Sequence, residues 1–200
     1  MPDFEEAVRF HGHSCPGLAF GFRAAEVAMS ELGIAKARDE ELVAICENRS
    51  CAVDGIQVVT GCTVGKGNLL FREFGKQVYT FIRRSSGEAV RLAVIWEGEP
   101  ESSEAARAWG SFSAGDRSPE VVRLVRQRKA EKVKSILAAT PMALFRINRT
   151  TAEVPEAAKV FTSVRCAECG EKVMEPMARE IEGRLLCPPC SSAQWDSSTP

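Results

Sequence analysis

Apolar residues recur at helical spacing over the first third of the chain. The longest such stretch, residues 16–32, begins with a proline that suits the first position of a helix and ends just before Gly33. Residues 4–11 and 51–61 contain shorter stretches with the same period. We expect an amphipathic helix at each of these three positions.

Alternating or continuous apolar runs predict strands between and after these helices. They cover residues 40–48, 78–84 and 88–96. The last two runs flank a Ser-Ser-Gly sequence, which is typical of a tight turn. This part of the chain is therefore predicted to form a buried strand and a β-hairpin.

A second group of helical signals lies past residue 100. Residues 103–109 are predicted to be helical, and a longer helix is predicted from Ser118, with a proline at its first position. One side of the longer helix is basic, and it would face either solvent or an acidic partner such as nucleic acid. That side carries Arg123, Arg126, Arg128, Lys132 and Lys134. Two prolines in residues 140–162 predict an extended connector.

Composition and charge are those of a soluble globular protein. The 26 Lys and Arg residues nearly balance the 27 Asp and Glu residues, so the formal net charge is −1 and gives no argument for a polyanionic partner. No apolar run approaches the roughly 18 residues needed to cross a bilayer, and the N-terminal stretch is acidic and amphipathic. We therefore expect a cytoplasmic protein with no membrane partner, whose eight cysteines are metal ligands, reactive thiols or core residues rather than disulfides.

The heptapeptide HGHSCPG, residues 11–17, holds both histidines of the chain and one cysteine. In an extended segment alternate side chains share a face, so His11, His13 and Cys15 would point to one place. Cys15 would also precede a helix, whose positive end favours a thiolate that acts as nucleophile or metal ligand. The alternative is a capped helix start with two ordinary surface histidines.

A second dense segment, residues 50–68, contains two cysteines. Cys51 starts a predicted helix, Asp54 lies in its first turn, and Cys62 follows it in a loop. If this segment meets HGHSCPG, the combined nitrogen and sulfur ligands suit zinc or another borderline-soft transition metal with an open position, or a thiolate with a histidine partner. The candidate ligands are His11, His13, Cys15, Cys51 and Cys62. The candidate catalytic residues are Cys15, His13 and Asp54, the last of which would orient a ligand histidine or act as acid or base.

The loop after this helix is rich in glycine but does not match a phosphate-binding P-loop. Its glycine spacing is one residue short, and a glycine stands where a Ser or Thr would hold magnesium. Gly65, Lys66 and Gly67 are therefore candidates only for contact with an anionic group, and a solvated lysine is the alternative.

The C-terminal stretch carries the most specific motif of the chain. Its four cysteines follow the pattern C-x2-C-x17-C-x2-C, in which two tight turns bring four thiolates around one zinc ion. They are Cys166, Cys169, Cys187 and Cys190. Four thiolates leave no open coordination position, so this zinc is predicted to be structural, and it would supply much of the folding free energy of so short a segment.

Three stretches together resemble the FmdE-like family, which is named after formylmethanofuran dehydrogenase. They are FHGHSCPGLAFGFRAA from Phe10, CAVDGIQVVTGCTVGKGN from Cys51 and FGKQVYTFIRR from Phe74. The four-cysteine segment is similar to short zinc fingers of the DksA/TraR type, which occur appended to this family. The resemblance implies an α+β core followed by a treble-clef or ribbon-like finger. With the pattern above, this gives a core at 1–140, a linker at 141–163, a finger at 164–191 and a flexible tail at 192–200.

The resemblance also implies a homodimer and an association with the molybdenum or tungsten enzyme that reduces carbon dioxide onto methanofuran. The protein would then be associated with an oxidoreductase, and its core metal or thiolate site would serve one-carbon or redox metabolism. A competing hypothesis is a regulatory or adaptor protein, in which the finger and the basic helix contact a protein complex or nucleic acid. Nucleic acid is the less favoured partner because the chain has no net positive charge.

Overall fold

The computed structural model describes residues 2–98 and 102–192. These residues belong to two compact units, which divide between Ala157 and Ala158, inside the segment predicted to be a linker. From residue 193 onwards the predicted tail lies outside the described residues. Every helix within them is too short or too polar to cross a membrane.

The N-terminal unit is a mixed arrangement of helices and strands. Its elements in chain order are α1 (Phe4–His11), α2 (Pro16–Leu32), β1 (Leu42–Cys46), α3 (Ala52–Thr60), β2 (Leu69–Phe71), β3 (Val78–Arg83), β4 (Glu88–Val94), α4 (Ser103–Ser113), α5 (Pro119–Ala138), α6 (Pro141–Leu144) and β5 (Phe145–Thr151). The α+β class is confirmed, as are the helices and strands predicted before residue 97.

The five strands form one sheet in the order β2-β1-β3-β4-β5. Strand β2 pairs with β1 in parallel, whereas the other neighbours are antiparallel. Helices α2 and α3 pack against each other, and their apolar residues share one core with the side chains from one face of the sheet. The N-terminal ends of these two helices carry the candidate site.

Two glycines allow α2 and α3 to approach each other closely. A Cβ at Gly21 would lie 1.8 Å from the carbonyl oxygen of Ala52, and a Cβ at Gly55 would lie 2.6 Å from the backbone nitrogen of Phe22. Any larger residue would therefore push the helices apart. This contact fixes the start of α2 relative to the start of α3.

The prediction of an extended connector over residues 140–162 is wrong for its first half. Residues 141–144 form the short helix α6, and residues 145–151 form the edge strand β5, which pairs with β4 along its whole length. Phe145 is fully buried and Ile147 is partly buried against the main core. These apolar side chains stabilise a strand whose other residues are mostly polar.

The C-terminal unit consists of two short hairpins and one helical turn. Strands β6 (Ser163–Arg165) and β7 (Lys172–Met174) form the first hairpin, and β8 (Arg179–Ile181) and β9 (Arg184–Leu186) form the second. The second hairpin agrees with the apolar pattern between the cysteine pairs. Helix α7 (Pro188–Ser191) follows it directly.

Candidate metal centres

His11 reaches the candidate core site as the last residue of α1, not as part of an extended segment. The next residue, Gly12, has a left-handed backbone with φ of 90° and donates its N–H to the carbonyl oxygen of Val8, which ends the helix. The expected alternation of side chains along a strand is therefore wrong. The three side chains nevertheless converge: ligand atoms of His11, His13 and Cys15 all lie within 4.8 Å of one another.

Asp54 holds the ring of His11 in a defined orientation. Nδ1 of His11 donates to Oδ2 of Asp54 at 2.6 Å, and Gln57 donates to the other carboxylate oxygen at 3.3 Å. Because Nδ1 is occupied, Nε2 is the ring nitrogen that faces the cluster, and it lies 3.8 Å from the sulfur of Cys15. A carboxylate behind a histidine is the usual support of a metal-ligating imidazole.

Cys15 caps α2 with its side chain. Its backbone is extended, and the backbone N–H of Leu18 donates to its sulfur at 3.4 Å. Proline occupies the next position, as the sequence predicts. Cys15 is only 7% exposed, while His13 is solvent-exposed and its ring centroid lies 4.5 Å from that of His11. The cluster therefore has a buried sulfur side and a side open to solvent.

Cys51 lies next to this cluster. A Cβ placed on Gly17 would be 3.1 Å from Cβ of Cys51 and 3.9 Å from the sulfur of Cys15. Burial raises the pKa of the Cys51 thiol, and the neighbouring Cys15 thiol raises it further. Of the predicted residues, the fold thus brings together His11, His13, Cys15, Cys51 and Asp54.

Cys62 is not brought to the cluster. It follows the C-terminal end of α3, whereas Cys51 and Asp54 lie at the other end of this nine-residue helix, a distance of about 13 Å at 1.5 Å per residue. Its fully buried thiol donates to the carbonyl oxygen of Leu42 at 3.3 Å. Burial raises the pKa of Cys62 to about 11 and that of its neighbour Cys46 to about 12. Both cysteines are core thiols.

Lys66 and its flanking glycines also lie past the far end of α3. The ammonium of Lys66 donates to the carbonyl oxygen of Asp39 at 3.2 Å, and Gly65 is exposed with no atom near the position of a Cβ. Gly67 has a left-handed backbone with φ of 75°. The loop is a lysine-braced turn, and it is separate from the His/Cys cluster.

The four C-terminal cysteines form the second centre. Their sulfur atoms all lie within 4.8 Å of one another, and those of Cys169 and Cys187 are 3.9 Å apart. Zinc–sulfur bonds of about 2.3 Å in a tetrahedron place sulfurs about 3.8 Å apart, so the arrangement fits a Zn²⁺ ion. Cys187 ends the second hairpin and caps α7, which carries Cys190.

Backbone amides prepare the first of these cysteines for a metal. The N–H of Cys187 donates to the sulfur of Cys166 at 3.4 Å. This amide, together with that of Cys169, lowers the pKa of Cys166 to about 6. Since the thiolate is the form that ligates zinc, these contacts favour the bound state.

Comparisons with known proteins agree with both centres. Residues 10–146 match the family model described as FmdE, molybdenum formylmethanofuran dehydrogenase operon. The chain belongs to the FmdE family. Residues 161–193 match the prokaryotic dksA/traR C4-type zinc finger, so the FmdE domain is followed by a zinc finger. The four-cysteine cluster supports binding of zinc by this segment.

Two similar proteins extend the comparison. The first is a probable S-adenosyl-L-methionine-binding protein from Archaeoglobus fulgidus, 29% identical over 203 residues, a match that covers 94% of this FmdE chain. The chain spans about half, 52%, of the length of that relative. The second is the crystal structure of an FmdE-like protein of the tungsten formylmethanofuran dehydrogenase type from Syntrophus aciditrophicus, with a TM-score of 0.62 and 21% identity. The match covers 95% of this chain and 90% of that protein, and the two share the same fold.

Proposed function

We propose that the FmdE domain is a metal-binding unit with its own centre, distinct from the finger zinc. Its ligands are His11, His13 and Cys15, and Cys51 stands next to them as a fourth ligand or as a nearby thiol. The observation that carries this proposal is the convergence of three donor atoms within 4.8 Å while Asp54 holds the first imidazole. Imidazole and thiolate together suit zinc or another borderline-soft transition metal.

The site resembles a catalytic centre more than a structural one. Three protein ligands leave a coordination position open, which a structural tetrahedron does not. The exposed side chain of His13 lies on the side of the cluster that solvent reaches. When bound, a metal of this type supplies Lewis-acid activation of a bound group. Asp54 keeps the proton on Nδ1 of His11, and the N-terminus of α2 stabilises negative charge on Cys15.

We further propose that this centre serves one-carbon or redox metabolism as part of an oxidoreductase-associated protein. Support comes from the description of the family, which names the operon of molybdenum formylmethanofuran dehydrogenase, and from the solved neighbour, which is described by the tungsten form of that enzyme. Homodimerisation and association with such a dehydrogenase belong to the same proposal. The binding of S-adenosyl-L-methionine, which the name of the archaeal relative contains, is a further hypothesis for this chain.

Metal analysis of purified variants tests the core centre. We expect about two metal equivalents per wild-type chain and about one in Cys15→Ala, because the finger keeps its zinc. Cys169→Ser should also hold about one equivalent, and the double variant should hold almost none. A complete elemental panel, measured by plasma mass spectrometry, identifies which metal leaves with each substitution.

Cys46→Ala is the matched control, since Cys46 is a buried thiol of β1 that lies outside the cluster. It should retain about two equivalents. If Cys15→Ala also retains two equivalents, or if the wild-type protein holds only the metal lost in Cys169→Ser, the core centre does not exist.

A further inference from the structure

A cavity of about 640 Å³ lies in the N-terminal unit between α2, the strand pair β3–β4 and the helices α4 and α5. It combines aromatic with cationic side chains, chiefly Phe20, Trp96, Trp109, Arg128, Lys129 and Lys132. None of these residues belongs to either metal cluster. The size is that of a site for a small organic molecule.

Aromatic rings provide the apolar part of the lining. Phe20 and Trp96 meet edge to face with their centroids 5.6 Å apart, and Trp109 comes from helix α4. The guanidinium of Arg128 lies 4.8 Å from the centroid of Trp109. Rings arranged in this way suit contact with a flat apolar group, which can stack on them or meet them edge to face.

Positive charge dominates the polar part of the lining. Arg128, Lys129 and Lys132 line the cavity, and Glu97 is the acidic residue among those that line it. Two of these cations, Arg128 and Lys132, belong to the side of α5 that the sequence predicted to face solvent or an acidic partner. They are half-buried, whereas Arg123, Arg126 and Lys134 on the same helix are exposed.

Lys129 is the residue best placed to meet a ligand. Its ammonium lies 5.8 Å from the centroid of Trp109 and 5.9 Å from that of Phe112. Within residues 2–98 and 102–192, no carboxylate lies within ion-pair distance of it. A half-buried ammonium that contacts only aromatic faces retains hydrogen-bond donors for an anion.

We propose that this cavity binds an organic anion with a planar aromatic part. The ring contacts Phe20, Trp96 and Trp109, and the anionic group accepts hydrogen bonds from Lys129 in the field of the two neighbouring cations. A neutral aromatic molecule would leave the half-buried ammonium without an anion, and an inorganic anion would leave the aromatic lining uncovered. A cationic ligand would be repelled by the three positive side chains.

A matched pair of fluorescent probes tests both parts of this proposal. Anilinonaphthalene sulfonate carries the anion, and N-phenylnaphthylamine has the same rings without it. The full-length protein should bind one sulfonate probe per chain and prefer it over the neutral probe. Lys129→Gln should weaken the sulfonate probe about tenfold, the typical worth of a hydrogen bond to a charged group, and should leave the neutral probe unchanged.

Lys134→Gln is the control, because it removes the same charge from an exposed position of α5. It should bind both probes like the wild type, and Lys129→Arg should restore most of the lost affinity. Circular dichroism of each variant checks that α5 remains folded. The proposal is overturned if the wild-type protein does not prefer the sulfonate, or if Lys129→Gln and Lys134→Gln have equal effects.

Displacement of the sulfonate probe then distinguishes natural chemistries. Adenosine monophosphate and S-adenosyl-L-methionine share the adenosine group but carry an anionic phosphate and a cationic sulfonium, respectively. We expect the monophosphate to displace the probe at lower concentration than the sulfonium compound does. The reverse order would contradict an anion site.

Discussion

Asp54 shows how one side chain outside the donor set can govern the core centre. Its carboxylate accepts a hydrogen bond from His11 at 2.6 Å and contacts neither Cys15 nor His13 among the hydrogen bonds of the described residues. Asp54→Ala should therefore leave the ligands present but free the imidazole to rotate. We expect the affinity of the core for its metal to fall about 10–100-fold, measured by competition with a chelator.

Glu5→Ala is a suitable control for this measurement, because it removes an exposed carboxylate from the same helix as His11. It should leave metal affinity unchanged. If Asp54→Ala retains wild-type affinity, Asp54 has no positioning role. The pairing of His11 with Asp54 spans 43 positions of sequence. Both residue types can be recognised in the sequence, but only the packing of α1 beside α3 shows which histidine the carboxylate orients.

The buried thiols of the core make stability depend on alkaline pH. Burial raises the pKa of Cys46 from 9.0 to about 12 and that of Cys62 to about 11. Because the folded-state pKa values are the higher ones, the stabilisation is fully present below pH 9 and is lost as the pH rises towards these values. Urea unfolding between pH 9 and pH 10.5 should therefore show a falling free energy of unfolding.

Cys46→Ala should reduce that dependence by about one proton, or about 1.4 kcal/mol per pH unit where the unfolded thiol is ionised. Val43→Ala, a truncation of another buried residue of β1, should lower stability equally at each pH and leave the slope as in the wild type. An unchanged slope in Cys46→Ala would show that this thiol is not the titrating group.

Among elements, the contact between α2 and α3 matters most, because α2 carries Cys15 and α3 carries Asp54. Gly21→Ala would place a methyl group 1.8 Å from the carbonyl oxygen of Ala52. We expect this variant to lose about 1–3 kcal/mol of stability and to lose the core metal while the finger zinc remains. Thermal unfolding and metal analysis of the same preparation measure both effects.

Gly110→Ala provides the opposite case in α4, where a Cβ meets nothing within 4 Å. There the substitution should stabilise the helix by up to about 1 kcal/mol and leave both metals bound. Equal behaviour of the two alanine variants would mean that the close approach at Gly21 is not needed. The test separates a packing requirement from the general effect of glycine on helices.

Elements with strong local signals can be predicted from the sequence, and those that depend on partners cannot. Helix α2 has a proline start, an apolar stripe and a glycine end, so its predicted bounds are correct. Strand β5 escapes prediction because its outer residues are polar and it is stabilised by pairing with β4 and by Phe145. Residues 11–15 converge as predicted, but the turn at Gly12 brings them together rather than the alternation of a strand.

At the scale of the whole molecule, the two metal centres differ in what they stabilise. The N-terminal unit has a large apolar core that includes residues from α2, α3 and the sheet. In the finger, the buried apolar cluster consists of Cys166, Leu186 and Cys187, and two of these three are predicted zinc ligands. The finger should therefore unfold when its metal is removed, whereas the N-terminal unit should remain folded.

Limited proteolysis of the full-length Cys169→Ser variant tests this difference. The finger should be digested rapidly, because without zinc it has too little core to remain folded, and a fragment close to residues 1–157 should resist the protease. That fragment should keep the core metal and lose it on the further substitution Cys15→Ala. Cys46→Ala, with an intact finger, should be cut no faster than the wild type after residue 158. If Cys169→Ser is digested throughout at one rate, the units are not independent, and folding of the FmdE domain itself depends on the finger.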